Sequence, residues 1–212
     1  MSVRVKFCGL SRTVDIEAVN ELMPDYAGFV FWNKSKRYVT PENAEALRRE
    51  LSPRIEAVGV FVDENPETIA DICGRGIIGI IQLHGHEDEE YISRLRTFTD
   101  KPIIKAFKVR EAEDVMRAEN CTADFVMLDS GMGTGKVFDW SLLAGITRPY
   151  FLAGGLDAGN VREAVSRLRP YAVDVSSGIE TGWVKDRVSY SRLKSQACPY
   201  PYRSLSDARF KR

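Results

Sequence analysis

Eight short apolar runs, alternating with segments of helical period, predict a single-domain (βα)8 TIM barrel of the α/β class, near the minimal length for that fold. The runs lie at 3–8, 26–31, 56–62, 77–83, 103–107, 125–128, 150–153 and 172–175. They are rich in Val, Ile and Phe and mostly continuous rather than alternating, as in strands of a parallel sheet buried on both faces. No linker-like stretch interrupts the series. The main rival, a doubly wound open sheet, usually carries fewer strands at this length.

The segments between the runs support the alternation. Residues 13–23 place Val14, Ala18, Val19 and Leu22 on one stripe. The segment 41–51 opens with Thr40 as N-cap, Pro41 at the first helical position and Glu42 early in the turn. Segments 66–73, 89–95, 111–119, 160–168 and 186–194 read similarly, and 139–143 is a shorter, weaker case. The barrel is expected over 1–196. Residues 197–212, with Pro199, Pro201 and no helical stripe, read as a surface extension.

Composition narrows the function. Among 212 residues, 30 Lys+Arg balance 30 Asp+Glu, and 44% are hydrophobic. A disordered chain is excluded. Zero net charge argues against nucleic acid as partner, because phosphate neutralisation needs a basic surplus. No apolar run reaches the about 18 residues of a membrane span. The alternation Val3, Arg4, Val5, Lys6 is unlike a signal-peptide core. Cys8, Cys73, Cys121 and Cys198 form no CxxC pair, and the two histidines share one short segment. Structural zinc and a disulfide scaffold are therefore disfavoured, and a reduced, cytoplasmic protein is expected.

In such a barrel the site lies at the C-terminal ends of the strands. Those ends supply Cys8, the run from Asn33 to Arg37, Asp63, His84, Lys105, Asp129, Gly154-Gly155, and Asp174 through Gly178. Gly154 and Gly155 after strand seven, with Ser176, Ser177 and Gly178 after strand eight, expose backbone N–H groups suited to a phosphate. A plain tight turn is the bland alternative for the glycines. The loop 130–136 has neither P-loop nor dinucleotide spacing, and a loop folding over a ligand suits it better. Cys8 and Asp129 could flank a small substrate, one taking a proton and the other giving one. A small buried core residue is the bland reading of Cys8, and a cap or salt-bridged carboxylate that of Asp129.

Seven motifs at these strand ends together resemble the phosphoribosylanthranilate isomerase family. They are KFCGLSR at 6–12, GFVFWNKSKRYV at 28–39, VGVFVDE at 58–64, IQLHGHED at 81–88, LDSGMGTGKVFDW at 128–140, FLAGGLDAGNV at 151–161 and VDVSSGIETG at 173–182. The resemblance extends to about residue 194. It implies a (βα)8 barrel that performs an Amadori rearrangement in tryptophan biosynthesis, with no metal and no organic cofactor. The substrate is a small phosphorylated aminoaldose, N-(5-phosphoribosyl)anthranilate. The resemblance also implies Cys8 as general base and Asp129 as general acid. Arg37 matches the family arginine on the anthranilate carboxylate, and His84 a histidine with at most a positioning role. Gly154, Gly155, Ser176, Ser177 and Gly178 match the phosphate loops. A monomer or homodimer is expected.

The proposed chemistry makes demands on these groups. An acid at neutral pH needs a raised carboxyl pKa, and a thiol base needs a lowered one, from a nearby cation such as Lys6 or Arg37. Departures from the family pattern are a loop at 130–136 about one residue short, Gly182-Trp183-Val184 before Lys185-Asp186, and Trp32-Asn33 in loop two. Other sugar-phosphate barrels fit less well. An epimerase would bring paired aspartates with metal-binding histidines, and an indole-forming synthase would bring a longer N-terminal segment and catalytic lysines. A scaffold without activity has no need of both Cys8 and Asp129.

Overall fold

The computed structural model describes residues 3–129, 140–182 and 184–197. Eight parallel strands close into a barrel in sequence order: β1 (Arg4–Cys8), β2 (Tyr26–Val30), β3 (Glu56–Phe61), β4 (Ile80–Leu83), β5 (Ile103–Lys108), β6 (Phe125–Asp129), β7 (Tyr150–Ala153) and β8 (Ala172–Val175). Closure pairs β1 with β8, Lys6 lying opposite Asp174. Each strand presents alternate residues to the interior and to the surrounding helices. The interior set includes Tyr26, Val58, Ile80, Ile104, Met127 and Phe151, which pack as one cluster. The outward set, among it Phe7, Phe29, Phe61, Leu83 and Leu128, packs with helix residues such as Ile16, Leu47, Ile69, Ile92 and Leu193. This layer carries most of the apolar burial, and each fully buried side chain of this size is worth about 1.5–3 kcal/mol.

The helices follow local signals. They are α1 (Thr13–Leu22), α2 (Pro41–Glu50), α3 (Pro66–Gly74), α4 (Glu89–Leu95), α5 (Ala112–Asn120), α6 (Val161–Leu168) and α7 (Arg187–Ala197). Thr40 caps α2 as expected, its hydroxyl accepting the Asn43 N–H at 3.2 Å, with Pro41 opening the helix. At α5 the Glu111 and Asp114 side chains form a reciprocal capping box.

Four expectations need adjustment. The run 77–83 is a strand only from Ile80; Ile77 and Ile78 are buried in the turn before it, which explains why the apolar signal starts early. The weak segment 139–143 is a 3-10 turn, Trp140–Gly145, packed on α5. A two-residue hairpin, β9 (Glu180–Thr181) against β10 (Val184–Lys185), was not expected. The last helix runs to Ala197, which is buried, so the barrel body extends one residue past 196. Residues 198–212 lie outside the described residues, as does the expected ligand-covering loop 130–136.

The floor of the barrel is aromatic. Phe125, Phe151 and Tyr171 are in mutual ring contact, Tyr26 meets Phe151 at a tilt, and the Arg4 guanidinium lies 4.3 Å from the Tyr171 ring centre. That plug fills the N-terminal end and leaves the C-terminal mouth for ligands.

Candidate active site

Cys8 ends β1 and shares the interior-facing parity of Lys6. Asp129 ends β6 with the parity of the interior residue Met127. With β7 and β8 between them, the two side chains stand on different sides of one mouth. Val30 and Val60 pack beside Cys8 and make an apolar wall. A β-carbon on Gly28 would lie 2.8 Å from Cys8 Sγ and 3.2 Å from Lys6 Nζ, so the glycine supplies the space in which the two meet.

The expected lowering of the Cys8 pKa is not what the surroundings produce. Burial pushes the thiol up, Lys6 pulls it down through charge and a hydrogen bond, Asp174 pushes it up, and the net is a raised value. Burial is the largest cause, and the pull of Lys6 is shared: its ammonium, itself fully buried, sits 2.9 Å from Asp174 Oδ1.

Asp129 has His84 beside it, Oδ2 to Nε2 being 3.3 Å. Nδ1 of His84 lies 2.9 Å from the Gln82 amide nitrogen. With that amide donating to Nδ1, the matching tautomer carries its N–H on Nε2, the nitrogen that faces Asp129. Gln82 is buried in the interior, and its Oε1 has no hydrogen-bond partner among the described residues.

The turn that follows His84 is held by a knot of bonds around the buried Glu87. That carboxylate accepts from the Asp63 N–H and Gly85 N–H, each at 2.8 Å, and from Lys105 Nζ at 2.7 Å. Lys105 also donates to Gly85 O at 2.8 Å. A β-carbon on Gly85 would meet Asp63 Oδ1 at 2.3 Å, so only glycine fits. Sequence reasoning placed Lys105 at a strand end; the structure turns it outward into this brace. His86 is exposed and holds Asp63 at 2.9 Å.

Arg37 lies across Gly9, where an added β-carbon would be 2.5 Å from its Cδ. Its guanidinium binds Glu180 by two bonds, Nε–Oε1 at 2.6 Å and Nη2–Oε2 at 2.7 Å. Glu180 also meets Lys185 Nζ at 2.7 Å. Lys185 continues to Ser176, donating to its carbonyl at 2.8 Å and to its Oγ at 3.2 Å. The Ser176 hydroxyl in turn donates to Cys8 O at 3.1 Å. Burial alone would raise the Glu180 carboxyl, but hydrogen bonds from Arg37 and Lys185 outweigh it and hold the pKa below the ordinary range. Lys185 is lowered, chiefly by burial.

Glu180 and Lys185 are the site-forming residues that sequence reasoning missed. Their hairpin strands are too short for a periodic signal, and the one cue was Gly182, which adopts φ +60 at the turn. Trp183, part of the family departure, lies outside the described residues.

The two glycine-bearing loops are neighbours. Gly154 and Gly155 take φ of +94 and +61. Ser177–Ile179 forms a 3-10 turn, and a β-carbon on Gly178 would lie 2.0 Å from Leu156 O. The glycine at 178 is therefore what lets loop eight touch loop seven. Ser176 differs from its neighbours here, because its hydroxyl bridges Cys8 and Lys185. A cavity of about 1100 Å³ borders Trp32, His84 and Asp129 and continues outward over Met116 and Arg117 of α5. Only its inner end adjoins the mouth, and Cys8 is not in its wall.

Among the described residues, no group of three or more His, Cys, Asp or Glu side chains is disposed to hold a metal, and no helix is long and apolar enough to cross a membrane. Cys8, Cys73 and Cys121 are free and buried.

A closed (βα)8 barrel with a thiol, a carboxylate and a guanidinium gathered at its C-terminal mouth belongs to the barrel enzymes that work at that face. The family model for N-(5′-phosphoribosyl)anthranilate isomerase matches residues 5–192. The enzyme of that name from Endomicrobium trichonymphae is 44% identical over 188 residues, covering 86% of this chain and 92% of its own. The crystal structure of phosphoribosyl anthranilate isomerase from Thermotoga maritima superposes with a TM-score of 0.83 at 39% identity, covering 92% of this chain and 98% of the other. A further isomerase structure, in complex with reduced 1-(o-carboxyphenylamino)-1-deoxyribulose 5-phosphate, is 38% identical with a TM-score of 0.81 over the same shares. The chain belongs to the N-(5′-phosphoribosyl)anthranilate isomerase family, and its activity is the isomerase step of tryptophan biosynthesis.

Proposed function

We propose that Cys8 is the general base and Asp129 the general acid of this isomerisation. The observation that carries the reading is their placement: each ends its strand on the interior side of the same mouth. Asp129 protonates the ribose ring oxygen, the bond from that oxygen to C1 breaks, and the ring opens to a protonated Schiff base. Cys8, as thiolate, takes the proton from C2. The enolamine so formed tautomerises to the ketone, 1-(2-carboxyphenylamino)-1-deoxyribulose 5-phosphate. A thiol and a carboxyl suit this exchange because tuned surroundings can leave the thiol without its proton and the carboxyl with one near neutral pH.

The remaining groups hold the substrate. Arg37 offers a fork to the anthranilate carboxylate, and Glu180 keeps that fork in one plane. Gly154, Gly155, Ser177 and Gly178 form the phosphate cradle, with Ser176 bracing it to β1 through its hydroxyl. His84 orients Asp129. The enzyme is assigned to the cytoplasm, acting as monomer or homodimer on a small phosphorylated molecule. Three buried free thiols suit a reducing compartment.

A coupled fluorescence assay tests the reading. Anthranilate and phosphoribosyl pyrophosphate are supplied with the preceding transferase, and the fluorescent aminoaldose is followed. Enzyme-dependent loss that disappears in Cys8→Ala and in Asp129→Ala is expected; loss that persists in either variant removes that residue from the chemistry.

A further inference from the structure

Lys6 is a charged side chain with no exposed surface, an arrangement that proteins keep only where the charge is paired. It has two partners. Asp174 lies across the β1–β8 junction at 2.9 Å, and the Cys8 sulfur, two residues along the same strand, is the other group that feels its charge. Gly28 of β2 is the gap in which sulfur and nitrogen converge. Other charged or titratable groups facing the thiol are Lys185 of β10, Arg37 of the loop after β2 and Tyr190 of α7. Val30 of β2 and Val60 of β3 share the apolar cluster of Cys8.

We propose that Lys6 is the positioning residue that holds the charge of the Cys8 thiolate, and that Asp174 sets how much of the Lys6 charge the sulfur receives. The proposal rests on the reading of Cys8 as base. In that step the sulfur lone pair takes the C2 proton, the C2–H electron pair becomes the C1–C2 double bond, and the imine π pair returns to nitrogen. The negative charge leaves the sulfur as the S–H bond forms. A fixed ammonium beside the sulfur therefore stabilises the state before proton transfer. After transfer, Asp174 keeps the ammonium from being buried alone, so Lys6 stays charged in both states. Consistent with this, burial would lower Lys6, but Asp174 and Cys8 together hold its pKa above the usual lysine value.

The two partners act on the thiol with opposite sign, which gives a test that a purely structural pair would fail. The pH dependence of iodoacetamide alkylation is measured on the full-length chain, with peptide mapping to read Cys8 separately from Cys73, Cys121 and Cys198. Lys6→Met is expected to move the Cys8 midpoint up by about one pH unit or more, a roughly tenfold slower reaction below the midpoint. Asp174→Asn is expected to move it down. Because Lys6→Met leaves a buried carboxylate unpaired and could fail to fold, Lys6→Met/Asp174→Asn provides the neutral pair. Its midpoint is expected to rise, by less than in the single variant. The acid limb of kcat/KM should shift in the same directions. An unchanged midpoint in the double variant, or a rise in Asp174→Asn, overturns the proposal. Full activity in Cys8→Ala would instead overturn the role of Cys8 as base, while leaving the alkylation shifts to stand or fall separately.

Discussion

The Arg37 guanidinium closes on the Glu180 carboxylate through two parallel bonds of 2.6 and 2.7 Å, across 143 residues of chain. Two parallel bonds fix the plane of the fork as well as its position. Gly9 lets the stem of Arg37 lie flat, and Lys185 holds Glu180 from the other side. The result is a continuous path from the arginine proposed to bind the substrate carboxylate through Glu180 and Lys185 to Ser176, beside the expected phosphate loops.

Arg37→Ala is expected to act on binding. Losing a charged hydrogen-bonding partner is worth about 1.5–3 kcal/mol, so KM should rise roughly tenfold to a hundredfold with a smaller change in kcat. Glu180→Gln keeps the shape and one weaker bond, and its KM should rise less than that of Arg37→Ala. Steady-state kinetics on both variants check the order. An unchanged KM in Arg37→Ala would remove it from the site.

Turnover should depend on the acid and the base. Cys8→Ala and Asp129→Ala are each expected to lower kcat by about a hundredfold or more, the usual scale for losing such a group. Single-turnover kinetics separate this loss from product release.

Glu180 should make stability depend on acid. A carboxyl whose folded pKa lies below its unfolded one adds stability above the unfolded value, about 4.3 for glutamate. That contribution is lost as pH falls through the lower folded value. The Tm of Glu180→Gln should therefore lie below that of the parent at pH 7, with the gap narrowing as pH drops from about 4.3 toward 3. A gap as wide at pH 3 as at pH 7 would show that the ion pair does not titrate in this window.

Gly178→Ala should separate the two glycine-bearing loops. The new methyl would stand 2.0 Å from Leu156 O, which is backbone and cannot rotate away. Overpacking of this kind costs about 1–3 kcal/mol, so Tm should fall and KM should rise together. Inorganic phosphate as a competitive inhibitor reads the cradle directly: its inhibition should weaken in Gly178→Ala and hold in a surface variant away from the mouth such as Phe98→Ala.

Much of this molecule is legible in its sequence. The strands were visible because each is a short apolar run buried on both faces. The helix at 41–50 was visible because Thr40, Pro41 and Glu42 are local start signals. Cys8 and Asp129 stood out because a barrel places its chemistry at strand ends. Ile77 and Ile78 misled for the same reason that strands are recognised: an apolar run records burial, and a buried turn next to a strand gives the same signal. The hairpin at 180–185 escaped because two residues a side carry no period.

The sequence alone determined the barrel, the order of its elements and the kinds of residue at its mouth, because periodicity, capping and turn preference act within a few positions of the chain. The tertiary structure alone decided the electrostatics. Barrel closure sets β1 against β8, so Lys6 meets Asp174 across 168 residues, and the thiol expected to be lowered by a nearby cation is instead raised by burial, with that cation shared. Charge and desolvation depend on distance and enclosure in three dimensions, and no local pattern encodes either.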